Sequence, residues 1–160
     1  MAAYEATIPS AWRADETFGY VATFSNAAQW DPGVRVAEAL EEGHVRAGSR
    51  FRLVVSFLGR GLPLTYEVIS YSAQNRHVLL EASSGMLRAR DLITVRPVPL
   101  TDGQTGALSV VSYRAEVAMR GPLRVLEPLL KRGFMAVGDR AAAGLARVLA
   151  APADNAGQGS

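Results

Sequence analysis

Asp91 is the residue of this chain whose type and position most demand a chemical explanation. It stands in the alternating run Leu87-Arg88-Ala89-Arg90-Asp91-Leu92-Ile93-Thr94-Val95, on the side shared by Leu87, Ala89, Ile93 and Val95. That side reads as the covered face of a strand, because Arg88, Arg90 and Arg96 take the other. Two tyrosines fall on the matching faces of other strands: Tyr66 with Leu64, Val68 and Ser70, and Tyr113 with Val111, Ala115, Val117 and Met119. An ionised carboxylate buried without partners is prohibitively costly, so Asp91 must be paired, protonated or wet. A tyrosine hydroxyl donating to it meets that need. Two readings stay open. In one, the three form a satisfied structural group, or a one-residue bulge turns Asp91 outward. In the other, they are polar anchors in an apolar pocket, the usual composition of a small-molecule site. Asp91 then serves as acid or base, with Tyr66 or Tyr113 orienting a substrate hydroxyl or carbonyl.

Other chemistry is scarce. Cysteine is absent, which excludes thiolate nucleophiles, disulfides and zinc–sulfur sites. His44 in a turn and His77 at a strand start are too isolated for a metal cluster. No Gly-x-Ser-x-Gly elbow occurs, and no glycine-rich phosphate loop links a strand to a helix. No metal and no cofactor is expected. Of the seventeen basic residues sixteen are arginine, interleaved with fifteen acids for a net charge of +2. A nucleic-acid partner calls for a concentrated basic patch, so none is expected, and the arginine bias is read as genome composition. No run reaches the ~20 apolar residues of a membrane span. The first thirty residues include Glu5, Arg13, Asp15 and Glu16 and no long apolar stretch. A cytoplasmic protein without membrane insertion, monomeric or homodimeric, is the expectation.

The elements that position these groups follow from periodicity. Residues 2–8 alternate as an opening strand, with Pro9 ending it, and residues 14–28 form one or two short helices with Asp15 as N-cap. Trp30-Asp31-Pro32-Gly33 breaks the helical pattern. Strands follow at about 34–42, 49–58, 62–71, 76–84, 87–97 and 107–119, separated by Gly43 and Gly48, Gly59 and Gly61, Asn75, Gly85 and the Thr101–Gly106 loop. Such short links favour an antiparallel meander. The outward charges Arg88, Arg90, Arg114, Glu81 and Glu116 are explained by cross-strand ion pairs.

Gly121-Pro122 then opens a long helix. Leu123, Leu126, Leu130, Phe134, Val137, Ala141, Leu145 and Val148 recur at three- and four-residue steps, and this stripe must bury against the sheet. Pro128 kinks or breaks it near Glu127. Gly133, Gly138 and Gly144 lie within it, each costing about 1 kcal/mol relative to alanine. Close packing on the sheet is the preferred explanation, room for a ligand the alternative. The domain runs over 1–151, and the small, polar residues 152–160 are expected to be a disordered tail.

The opening strand ending at Ile8-Pro9, the helical pair closing in Phe24 and Trp30-Asp31-Pro32, the Gly43–Phe51 hairpin and the stretch from Arg120-Gly121-Pro122 through Leu145 together resemble the START-like (Bet v 1-like, SRPBCC) superfamily. The group resembled is the bacterial polyketide cyclase/dehydrase and lipid-transport proteins, over residues 1–150. The resemblance implies an α+β helix-grip fold: a seven-stranded curved antiparallel sheet wrapped around a long C-terminal helix, with two short helices after the first strand. It also implies an apolar ligand held between sheet and helix. Trp30, Phe51, Leu53, Val55, Phe57, Tyr66, Val68, Leu80, Asp91, Ile93, Val111, Tyr113, Phe134 and Val137 are the expected ligand-binding residues. None of the matching motifs is catalytic, so the resemblance assigns no catalytic residue; Asp91, Tyr66 and Tyr113 are candidates on their chemistry alone. Binding of a lipid, isoprenoid or polyketide-like molecule is the first expectation. A metal-free polyketide cyclase or aromatase is the alternative. A protein-interacting member of the same fold is a third, weakened by the dispersed charges.

Overall fold

The computed structural model describes residues 1–99 and 106–153, so most of the Thr101–Gly106 loop and of the tail lies outside the described residues. The chain runs β1 (Ala2–Ser10), α1 (Ala14–Ala22), a 3-10 turn (Phe24–Asn26), α2 (Ala27–Trp30), β2 (Val34–Ala39), β3 (Arg50–Phe57), β4 (Arg60–Ser72), β5 (His77–Ser83), β6 (Leu87–Pro97), β7 (Ser109–Met119), a second 3-10 turn (Gly121–Leu126) and α3 (Glu127–Ala150). One antiparallel sheet holds all seven strands in the order β1-β7-β6-β5-β4-β3-β2. The helix-grip architecture expected from the sequence is the one observed: a curled sheet gripping a long C-terminal helix.

Four local expectations need correction. Pro9 does not end β1. It pairs with Val110 inside the strand, tolerated because β1 is an edge and no second neighbour needs its missing N–H. Asp15 is not the cap of α1. Arg13 holds that position with extended backbone and no side-chain bond, while Asp15 sits in the first turn and pairs with Arg76 at 2.7 Å. Ser70 does not share the inner face with Tyr66 and Val68. A register shift between Val68 and Ser70 leaves Ser70 exposed and brings in Tyr71, whose ring lies 5.5 Å from Phe18. Finally, α3 does not start at Pro122. Residues Gly121–Leu126 form a 3-10 turn and the α-helix begins at Glu127, with Pro128 in its first turn where no intrahelical N–H is required. The break expected at Pro128 is there.

The core is unevenly distributed. Ile8, Trp12, Phe18, Val21, Val78, Leu80, Ile93, Val95 and Val111 pack with Leu145 and Leu149 into one cluster at the α1 end of the sheet. Under it, Ser10, Thr17 and Ser109 exchange hydroxyl bonds of 2.8 and 2.9 Å, and Ser109 donates to the Trp12 carbonyl. These buried polar groups satisfy one another, so they register β1, α1 and β7 at little cost. The second half of α3 is tied down there: Ala11 N–H donates to Leu149 O at 2.8 Å, and Trp12 Nε1 to Ala151 O at 2.6 Å. The first half of α3 is held at its start by a partly exposed ion pair, Glu127 with the Met1 ammonium at 3.0 Å. Its fully buried residues begin only at Gly138.

On the outer face the expected cross-strand pairs form. Glu81 of β5 meets Arg88 and Arg90 of β6, each at 3.4 Å, and Arg114 of β7 contacts Glu5 of β1; the Arg114–Glu116 pair at 2.8 Å lies within β7 itself.

Candidate functional site

Why one half of the sheet stays unfilled can be read from residue size. At the inner positions of β6 and β7 around Asp91 the sequence supplies Ala89 and Ala115, with Ala82 beside them on β5. Opposite them the helix supplies Gly133, Ala136, Gly138 and Ala141. Small residues facing small residues leave a cavity of about 470 Å³ between sheet and α3. Its walls are chiefly apolar: Val55 and Phe57 of β3, Leu64 of β4, Leu87 of β6, Val117 and Met119 of β7, and Leu126, Leu130 and Phe134 from the helix side. A void of that size lies within the ordinary range of small-molecule sites.

The helix glycines separate into two kinds. A Cβ on Gly144 would lie 1.9 Å from the Trp30 carbonyl oxygen, and one on Gly138 would lie 2.5 Å from the Tyr4 ring. Both are glycine because neighbouring groups already occupy the space: Gly138 packs on the sheet as expected, at Tyr4 of β1, whereas Gly144 packs on α2 at Trp30. At Gly133 a Cβ meets nothing within 4 Å, and this residue lines the cavity. There the alternative explanation fits.

Asp91 sits on the cavity wall, 5% exposed, and is not turned out by a bulge. Tyr113 follows from register: Ala115 pairs with Asp91, so Tyr113, two residues earlier, reaches it diagonally on the same face. Its hydroxyl donates to Asp91 Oδ1 at 2.5 Å. Tyr66 comes from β4 across the small Ala82 and Ala89, and its hydroxyl acts on the same carboxylate. The Tyr113 ring is held edge-on against Trp30, with centroids 6.0 Å apart.

Burial dominates the electrostatics. Loss of water pushes the Asp91 carboxyl up to about 6; the Tyr113 and Tyr66 hydroxyls pull it back, and a second carboxylate, Asp31, raises it further. Both tyrosines are raised well above their usual range, first by burial and then by the adjacent Asp91. Asp31 itself is raised by burial, against the opposing pull of the Gly33 N–H, 2.8 Å from its Oδ1, and of Arg140. Asp31 and Arg140 also line the cavity.

Among the expected ligand-binding residues, Val55, Phe57, Tyr66, Asp91, Tyr113, Phe134 and Val137 are brought to the cavity. Trp30, Phe51, Leu53, Val68, Leu80, Ile93 and Val111 are instead buried in the core cluster. They share the inner face, but α1, α2 and the second half of α3 already cover their part of it. Asp31 and Arg140 were missed. The run Trp30-Asp31-Pro32-Gly33 reads as a turn, and Arg140 as a solvated helix residue. The alanines at inner positions of β6 and β7 were the available signal for the void.

Around the opening lie exposed apolar side chains: Leu58 (79% exposed) on the β3–β4 turn and Leu129 (70%) on α3. Leu58 has φ of +50° and precedes Gly59 at +77°, the backbone of a two-residue hairpin turn that leucine seldom occupies. Ser56 and Glu116 also border the cavity, the Glu116 carboxylate being engaged by Arg114 on the outer face.

Comparison with known proteins agrees with this geometry. The family model described as polyketide cyclase / dehydrase and lipid transport matches residues 1–150. The chain belongs to that family. No curated protein matches it in sequence. Among solved structures, this family member is similar to a START superfamily protein from Mycobacterium smegmatis, with a TM-score of 0.70 and 17% identity over 93% of this chain and 97% of that one. It is also similar to the Zhui aromatase/cyclase from Streptomyces sp. R1128, with a TM-score of 0.69 and 15% identity over 96% and 92% of the two chains. A protein from Thermus thermophilus superposes with a TM-score of 0.70 at 14% identity, covering 92% of this chain and 95% of that one. Identities this low speak for the fold alone. Among the described residues no helix is long and apolar enough to cross a membrane, and no group of side chains is arranged to hold a metal ion.

Proposed function

We propose that this cytoplasmic family member binds a small hydrophobic molecule, such as a lipid, isoprenoid or polyketide, in the cavity between the sheet and α3. The observation that carries the reading is the cavity of about 470 Å³ with chiefly apolar walls. Water gains little from such walls, whereas an apolar guest releases it at about 25 cal/mol per Å² of surface buried. Leu126, Leu130 and Phe134 grip the guest from the helix, and Asp91, Tyr66 and Tyr113 orient its polar group. The test is native mass spectrometry and thermal-shift screening against lipid and aromatic libraries, using the parent protein and Gly133→Trp. The indole placed at an open position fills the void, so a guest should bind and stabilise the parent but not the variant. Equal stabilisation of both would locate binding elsewhere and remove the proposal.

A specific contact favours a second reading, a polyketide cyclase or aromatase, in line with the family's description and with the aromatase/cyclase named for the Streptomyces neighbour. Asp91 accepts from Tyr113 at 2.5 Å and titrates near 6, within reach of proton exchange at neutral pH. In that case Asp91 removes or returns a proton on the bound chain while a tyrosine holds its oxygen. Asp91→Asn that binds substrate yet loses turnover supports this role; unchanged turnover eliminates it.

A further inference from the structure

The polar end of the cavity is unusually one-sided. Asp91 and Asp31 come from distant elements, β6 and the turn after α2, yet both line one cavity and Asp31 acts on Asp91 through space. A carboxylate offers about four acceptor positions and no donor. Asp91 takes the Tyr113 hydroxyl on Oδ1 and the Tyr66 hydroxyl as well, and Asp31 Oδ1 takes the Gly33 N–H, three donors for about eight acceptor positions. Much of their accepting capacity is therefore unspent inside an apolar wall. Among the described residues the cation that acts on the pair is Arg140, and it acts on Asp31. Two acids against one base leave this end short of a donor and of positive charge. Such a deficit is costly where water is scarce.

We infer that the guest carries its own hydrogen-bond donor at this end: an apolar molecule ending in a protonated amine, or less favourably in a hydroxyl, seated between Asp31 and Asp91. The inference rests on the cavity being the ligand site and adds which chemistry that site selects. An ammonium group answers both shortages, donating to each carboxylate and separating two like charges. A hydroxyl answers only the first. A terminal carboxylate adds a third negative charge to a desolvated pair and is rejected.

Three probes of matched ring size test this: naphthylmethylamine, naphthalenemethanol and naphthoic acid, titrated by calorimetry at pH 7.5. Amine should bind tightest, alcohol next, and acid more weakly than the amine by about tenfold or more, as like-charge juxtaposition requires. Asp31→Asn, with Asp91→Asn as a second and independent variant, should compress the amine–acid gap, weakening the amine and strengthening the acid. Circular dichroism checks that each variant folds. Acid binding as tightly as amine, lost in Gly133→Trp, would overturn the inference and leave the cavity reading standing. If none of the three binds the parent protein, the cavity reading fails and the inference falls with it.

Discussion

The chemistry of single residues in this protein is governed by what water cannot reach. Asp91 has a value of 3.8 in the unfolded chain and about 6 in the fold, because burial penalises its anion. The folded state therefore holds this proton more tightly, and the sign of the pH dependence follows. Below 3.8 both states are protonated and there is no penalty. Between 3.8 and about 6 the unfolded chain releases its proton first, so stability falls as pH rises, and above about 6 it levels off. The full change is roughly 3 kcal/mol. Asp31, raised in the same direction, adds to it. Urea unfolding should thus give a higher free energy at pH 4 than at pH 7.5. Asp91→Asn should flatten most of the slope and match or exceed the parent at pH 7.5, since its carbonyl still accepts from Tyr113. A parent curve level across this range would contradict the buried carboxylate. Thr17→Val tests a different polar group: it strips Ser10 and Ser109 of a buried partner and should cost about 1–3 kcal/mol. Asp91, Tyr66 and Tyr113 were legible in the sequence because strict alternation assigns a face to every strand residue. Asp31 and Arg140 were not, since nothing local distinguishes a cavity-facing turn acid, or an arginine over an opening, from an ordinary surface residue.

At the level of elements, α3 is two helices in one. Its second half is welded to the rest of the fold at Gly144 and Leu149, and its first half spans the void. Substituting the glycines exposes the difference. Gly144→Ala drives a methyl into the Trp30 carbonyl, an overpacking that no rotamer relieves, and should cost about 3 kcal/mol or more. Gly133→Ala meets open space and should stabilise by up to about 1 kcal/mol through helix propensity. Thermal or urea unfolding of the two variants separates them by sign. The three glycines look identical in sequence, and only the partner across the gap tells them apart. Strand extents were read closely, because hairpin turns and alternation are local. The misreadings at Pro9 and Ser70 arose where tertiary context intervened: an edge position that forgives proline, and a bulge that no pattern announces.

For the whole molecule, the stripe on α3 predicted that helix and sheet would face each other; what it could not show was how far α1 and α2 extend over the shared surface. They cover one end, which placed Phe51, Leu80 and Val111 in solid core, and they stop short of Asp91. Hydrogen exchange should report this asymmetry: amides of residues 142–150 should be protected close to the global limit, and those of 129–137 should exchange through smaller openings. Uniform protection along α3 would refute it. The break at Pro128 gives the asymmetry a mechanical meaning. A helix fixed by backbone bonds at its far end and by one ion pair at its start, Glu127 with the Met1 ammonium at 3.0 Å, yields most readily in the span between the two. For a guest held as proposed, that span is where differences in girth would be taken up, while the seven strands keep their register.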